Sequence, residues 1–321
     1  MLFRSHETST SNCQQVSAHG SLRKKRQPKK LLTHHLYCSL RKFSCYVGEE
    51  TEIYLTLFDN KTSKYFSERF LARHSKSGQP HSINCSALFT DLGNADLVRD
   101  AYLVVQIYRI GALKENDSKK TPTKTYKRPY GCAVHGVRDI LMGRSDDTEE
   151  KEIEMKIYSC NENDFPSLHE NIIRKQNAKF SLLSGQSSNV LTVSLRMFHG
   201  DLEQVKKEEP SLTRGIAIAH KLGFSDVIMP GPLNGDEEGD VRNDLYLTLV
   251  RGEFEKGSKT AGKNVEVRVL VVDSEGTVIP DSISAGAGEP QIAEYNAVIF
   301  YHNNNPKWNE TIKLAVPIEK F

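Results

Sequence analysis

The sequence predicts a mainly β protein, an antiparallel β-sandwich unit followed by an incomplete sandwich of C2 size. Three observations predict it: apolar residues recur in short runs of strand length, the runs are rich in Val, Ile, Tyr and Phe, and turn formers separate them. With 321 residues the chain has room for two ordinary domains, and an apolar share of 38% suffices for a core in each.

Residues 1–30 are rich in Ser, Gln, Lys and Arg and show no helical or alternating period. They cannot offset their own ordering entropy and are expected to be a disordered basic linker. A β-rich unit is expected over 31–200, with strands near 36–45, 52–58, 101–110, 130–137, 153–158 and 190–198. Val47-Gly48, Asp59-Asn60, Ser77-Gly78 and Leu92-Gly93 mark turns between them. The polar, basic stretch 114–128 reads as a long surface loop, and the spacing of Leu168, Ile172 and Ile173 predicts a short amphipathic helix. Residues 201–241 change character, with a charged run at 203–209, a helix predicted over 216–222, and a Pro, Gly and acidic stretch at 230–240 that sets the boundary. They are expected to form a linker with a short helix.

Alternation returns over 244–250, 264–272, 294–301 and 308–316. Four strands are about half of a C2-sized sandwich, so residues 242–321 are expected to form a truncated C2-like domain whose sheet is unfinished. Open strand edges and an uncovered face would then make the chain poorly stable beyond about Asp240.

Net charge is only +2, with 43 basic and 41 acidic residues, so no global field draws the protein to nucleic acid or anionic membrane. The first residues hold no apolar core of signal-peptide length, and no apolar run approaches the ~20 residues of a spanning helix, so a cytoplasmic chain is expected. The six cysteines form no C-x-x-C pair, which suits reduced thiols, and the sequons at Asn60, Asn84, Asn116 and Asn309 read as chance matches.

The cluster Arg23-Lys24-Lys25-Arg26 with Lys29-Lys30 reads as a solvated linker, because no aromatic residues interleave it for base stacking. Cys132 and Arg138 have the C-x5-R spacing of cysteine phosphatases, but Gly136 is the only glycine between them and the pattern is strand-like, so Cys132 is expected in a buried strand. His34 and His35 stand near Cys38 and Cys45, yet adjacent strand residues point to opposite faces and do not share one metal ion without distortion. Asp59, Asp91, Asp273, Glu275 and Glu289 show no D-x-D clustering, so calcium independence is the default. There is no Walker loop, zinc-ligand spacing or nucleophile with a positioned base, so neither an enzyme nor a cofactor is expected.

One segment invites a binding role: Lys256, Lys259 and Lys263 lie with Gly257 and Gly262 between two expected strands. Such a loop can raise three ammonium groups around a multiply charged phosphate head group, with glycines that let backbone N–H groups approach. Spacing alone favours the plainer reading, a polar hairpin loop whose lysines keep it soluble.

Those residues also carry a family resemblance. The run Arg242-Asn-Asp-Leu-Tyr-Leu-Thr-Leu249, the lysine loop, Ile292-Ala-Glu-Tyr295 and Pro306-Lys-Trp308 with Glu310 resemble the opening half of DOCK-homology region 1 of the dedicator-of-cytokinesis (DOCK) family. Upstream, His34-His-Leu-Tyr-Cys-Ser-Leu40, Phe89-Thr-Asp-Leu-Gly-Asn94, Arg128-Pro-Tyr-Gly131 and Glu162-Asn-Asp-Phe165 resemble stretches that precede that region. Arg251 through Lys259 and His302-Asn-Asn304 are most similar to the branch containing the insect Sponge protein.

The resemblance implies a non-catalytic fragment of a Rho/Rac-type guanine nucleotide exchange factor, with the exchange region outside the chain. It implies calcium-independent binding of phosphatidylinositol trisphosphate through Lys256 and Lys259, with Lys263 adjacent, and recruitment from cytoplasm to plasma membrane. The implied partners are that lipid, a Rac-type GTPase and an ELMO-type adaptor, with no nucleic acid. The alternative is a protein-interaction scaffold that docks an adaptor and binds no lipid itself.

Overall fold

A computed structural model describes residues 33–82, 85–113, 124–143, 149–183, 189–223, 244–254 and 264–315. The strands run in chain order β1 (His34–Ser44), β2 (Glu50–Asp59), β3 (Lys64–Tyr65), β4 (Phe70–His74), β5 (Ser86–Leu92), β6 (Ala101–Gly111), β7 (Tyr126–Gly136), β8 (Lys151–Lys156), β9 (Tyr158–Ser159), β10 (Ser181–Leu182), β11 (Val190–His199), β12 (Ala217–His220), β13 (Leu245–Arg251), β14 (Arg268–Leu270), β15 (Ile283–Ser284), β16 (Glu294–Asn296) and β17 (Lys307–Leu314). The protein is mainly β, as the alternation predicts.

Two sheets face each other in the first sandwich, ordered β12-β5-β1-β11-β8 and β10-β9-β7-β6-β2-β3, with β4 also on β2. The side-chain pattern sets the register. Leu36 lies opposite Met197, Cys38 opposite Leu195 and Leu40 opposite Val193, all buried, so a one-residue slip would turn the whole set away from the core. From the other sheet Ile53, Leu55 and Leu57 of β2 and Leu103, Val105 and Ile107 of β6 complete that core. Each such side chain contributes roughly 1.5–3 kcal/mol of burial.

The outer face of β2, β6 and β7 is also dry. Tyr54, Phe58, Val104, Tyr108 and Cys132 pack on Phe165 and Leu168 and on Tyr295, Phe300, Trp308 and Ile312 of the C-terminal segment. The helix expected near Leu168 is present as Leu168–Ile173, preceded by a 3-10 turn over Glu162–Ser167.

Three expectations need correction. The helix predicted over 216–222 is strand β12, which runs parallel to β5, while the described helices of this region are Leu202–Glu208, N-capped by Asp201, and the short Pro210–Thr213. Gly215 at φ 69° turns the chain, and the alternation then places Ile216 and Ile218 on Tyr37, Leu88 and Phe198, with buried Ala219 on the opposite face in the main core. The basic loop expected over 114–128 ends earlier, because Lys127 and Arg128 belong to β7 and are buried; 114–123 lie outside the described residues. Finally, the C-terminal segment does not leave a whole face uncovered, since the aromatic outer face of β2, β6 and β7 lies against it. Its strands form the sheet β13-β17-β15 and the pair β14-β16. What stays open lies along β13. Leu245 and Leu247 pair with Leu314 and buried Ile312, so they share the inward face, yet they are 48% and 39% exposed.

Two devices fix the C-terminal segment on the first sandwich. The backbone near Ala287 lies parallel to β4, with Leu71 N–H donating to the Ala287 carbonyl at 2.9 Å and Ala287 N–H donating to the Arg69 carbonyl at 2.8 Å. Glycines permit this approach: a Cβ at Gly286 would lie 2.9 Å from Leu71 Cβ, and one at Gly288, whose φ is 97°, would lie 2.8 Å from the Phe70 ring.

Beside this strap lies a buried polar network. Lys127 Nζ donates to Tyr54 Oη at 3.3 Å and Tyr295 Oη at 3.1 Å, and lies 3.5 Å from Glu52. Tyr295 Oη donates to Glu310 at 2.7 Å, and Arg69 Nη2 donates to the Ala285 carbonyl at 3.1 Å. Burial alone would lower the Lys127 pKa, yet Tyr295, Tyr54 and Glu52 carry it well above its ordinary value.

Candidate functional site

The site expected from the lysine spacing lies between β13 and β14. Lys256, Lys259 and Lys263 fall outside the described residues, but both flanks of their loop are described. At the first flank Gly252 N–H donates to the Pro306 carbonyl at 3.0 Å and Phe254 N–H to the Asn304 carbonyl at 2.9 Å. At the second, Asn264 bridges Asn303, and its Oδ1 accepts from His302 N–H at 3.0 Å. Both flanks therefore converge on the turn 301–306, next to the start of β17.

Residues far apart in sequence hold that turn. Trp308 Nε1 donates to the Val298 carbonyl at 2.8 Å, and its buried ring meets Phe254 edge-on with centroids 6.3 Å apart. Tyr301 N–H donates to Glu162 Oε2 at 2.8 Å, Asn303 Nδ2 to Asn163 Oδ1 at 2.9 Å, and Arg128 pairs with Glu162 while lying over the Tyr301 ring. His302 stacks on Tyr301 at 3.9 Å with φ of 55°. A turn fixed from three sides is a rigid base for a loop, and rigid bases lower the ordering cost of binding.

Register adds what spacing missed. Past a bulge after Leu249, Arg251 lies directly opposite Lys307, and both are exposed. These residues are 56 positions apart, and only strand pairing brings them together.

The other constellations are dispersed. Cys132 is buried on β7, and burial pushes its thiol far up, opposite to what a nucleophilic thiolate needs. Cys38 is likewise pushed up to about 12 by burial. His34 bonds His199 Nδ1 at 2.7 Å and Asn94 at 3.0 Å, whereas His35 bonds the Gly200 carbonyl at 3.1 Å. Asp59 pairs with Arg99, Asp91 with His220 and Glu289 with Arg73, while Asp273 accepts from the N–H groups of Glu275 and Thr277 in its own turn. Among the described residues no three such donors converge, and no described helix is long and apolar enough to cross a membrane.

A β-sandwich carrying a second, smaller β segment, with short helices beside it, defines a mainly β protein of two packed β units. The sequence comparisons agree: a family profile described as "DOCK N-terminus" matches residues 2–118 and 111–225, and one described as "C2 domain in Dock180 and Zizimin proteins" matches 238–321. The chain belongs to the DOCK family. It is 42% identical to human dedicator of cytokinesis protein 3 over 331 aligned residues, covering 100% of the chain and 16% of that protein. It is 42% identical to mouse dedicator of cytokinesis protein 4 over 307, covering 93% of the chain and 15% of that protein. Both matches are consistent with the branch expected from the Arg251 to Lys259 run. The chain thus spans about one sixth of the relatives it matches.

Proposed function

We propose that this chain is part of the membrane-recruiting scaffold of a guanine nucleotide exchange factor for Rho/Rac-type GTPases. The C2-like segment binds phosphatidylinositol trisphosphate through Lys256, Lys259 and Lys263 and draws the cytoplasmic protein to the plasma membrane. A region outside the chain acts on a Rac-type GTPase, and an ELMO-type adaptor joins the assembly. The observation that supports this reading most is the anchored root of the lysine loop, Phe254 on Asn304 and Asn264 on Asn303, at one end of a C2-type segment. Several ammonium groups close together on one glycine-bearing segment suit a multiply charged head group.

Sedimentation with phosphatidylcholine vesicles containing phosphatidylinositol trisphosphate tests it. Replacing Lys256, Lys259 and Lys263 by alanine is expected to weaken binding at least tenfold, at about 1 kcal/mol per cation near an anionic surface. Undiminished binding would refute it. A second reading, an adaptor-docking scaffold without lipid binding, draws support from the exposed apolar residues Leu245, Leu247 and Val250 along β13. Vesicle-independent capture of a purified adaptor, lost on Leu247→Lys, would favour it.

A further inference from the structure

We propose that Arg251 and Lys307 form a second cationic contact, built on strands rather than in the loop, for phosphates of lipids beside the one held by the lysines. The inference rests on the phosphoinositide reading above. The two side chains lie directly opposite each other at the ends of β13 and β17, both exposed. Among the described residues neither forms an ion pair. Like charges directly opposite across a strand pair repel, so this pair costs the fold stability. Elsewhere on the same strands charge is matched: Lys313 of β17 bonds Asp244 at 2.7 Å and lies 3.4 Å from Glu68.

Position gives the unmatched pair a purpose. A bulge between Leu249 and Arg251 breaks the register just before it, and bulges re-aim side chains. Gly252 and Pro306, the neighbours of Arg251 and Lys307, are joined by the first hydrogen bond of the loop root. The cations therefore sit beside the described flank from which the lysine-bearing segment departs. Arg251 offers a planar fork for two phosphate oxygens and Lys307 a compact charge beside it. Because the whole chain carries only +2, attraction to an anionic bilayer depends on such local groups.

The test uses the whole chain with the same trisphosphate vesicles, the soluble inositol phosphate head group, and thermal unfolding. Arg251→Gln with Lys307→Gln is expected to weaken vesicle binding roughly 30-fold, from two cations at about 1 kcal/mol each and about 1.4 kcal/mol per tenfold. Affinity for the soluble head group should stay within about twofold, since the pair contacts neighbouring lipids. The unfolding midpoint should not fall, because a repulsion is removed. Arg251→Glu places opposite charges across the strands, so it should raise the midpoint while lowering vesicle binding.

Variants that bind vesicles like the unsubstituted chain, while the lysine-to-alanine chain does not, would overturn this inference and leave the lipid reading standing. Loss of vesicle binding together with a lowered midpoint, or equal loss of soluble head-group binding, would also overturn it. A chain that ignores the vesicles altogether overturns both readings.

Discussion

Replacing Lys127 by Met tests whether the buried network holds the C-terminal segment in place. Methionine keeps most of the volume and removes the charge. The Lys127 side chain is 7% exposed, and its ammonium donates to Tyr54 and Tyr295 and lies 3.5 Å from Glu52. Removing one partner of a buried pair typically costs about 3–5 kcal/mol. Here Glu52 keeps Arg73 at 3.1 Å and the Tyr54 hydroxyl at 2.8 Å, which places the expected loss near the lower end, about 3 kcal/mol. At ~2–4 °C per kcal/mol for a unit of this size, the melting midpoint should fall by roughly 6–12 °C.

Two probes read it: far-UV circular dichroism for both β units, and fluorescence of Trp308, the single tryptophan, for the C-terminal segment. The fluorescence transition should move further than the dichroism transition. Lys124→Met, which removes an exposed partner of Glu266, serves as the comparison and should leave both transitions in place. An unchanged midpoint in Lys127→Met, or an equal shift in Lys124→Met, would refute the reasoning.

Two further outcomes are expected. Gly288→Val puts a Cβ against the Phe70 ring at a backbone conformation valine does not tolerate, so hydrogen exchange at the Leu71 and Ala287 amides should accelerate at least tenfold while β1 and β11 stay protected; retained protection at Leu71 would count against the strap. Burial first, then Arg174, pushes the His169 pKa down to about 4 from 6.5, so the unfolded chain binds the extra proton first as pH falls. Stability should therefore be full above about pH 6.5 and decline toward pH 4, by up to about 3 kcal/mol at about 1.36 kcal/mol per unit. In His169→Phe, part of that slope should vanish from urea titrations, with buried His35 and His74, also lowered, supplying a remainder.

Strand existence was legible because a period of two is a local signal. The alternation around Leu36, Ile53 and Leu191 needs no knowledge of partners to mark an inward face. The run 101–110 reads as nearly continuous apolar sequence because β6 is covered on both faces, by the main core through Leu103 and Val105 and by the C-terminal segment through Val104 and Tyr108. Short elements were less legible. Ile216 to Leu222 fits a helix or a strand by composition, and the open edge of β5 decides for strand.

At the candidate site, composition singled out the lysine-bearing segment, which lies outside the described residues, whereas Arg251 and Lys307 carried no signal in their own neighbourhoods. Lys127 is similar: inside a basic run it looks solvated, and only the tyrosines and carboxylates brought by β2, β16 and β17 make its burial tolerable. Local order of apolar and polar residues determined where strands form and which face of each is dry, since that information travels with the chain. Which dry face meets which, and which charges end up opposed or enclosed, was decided only in three dimensions, because it depends on pairings between residues tens to hundreds of positions apart.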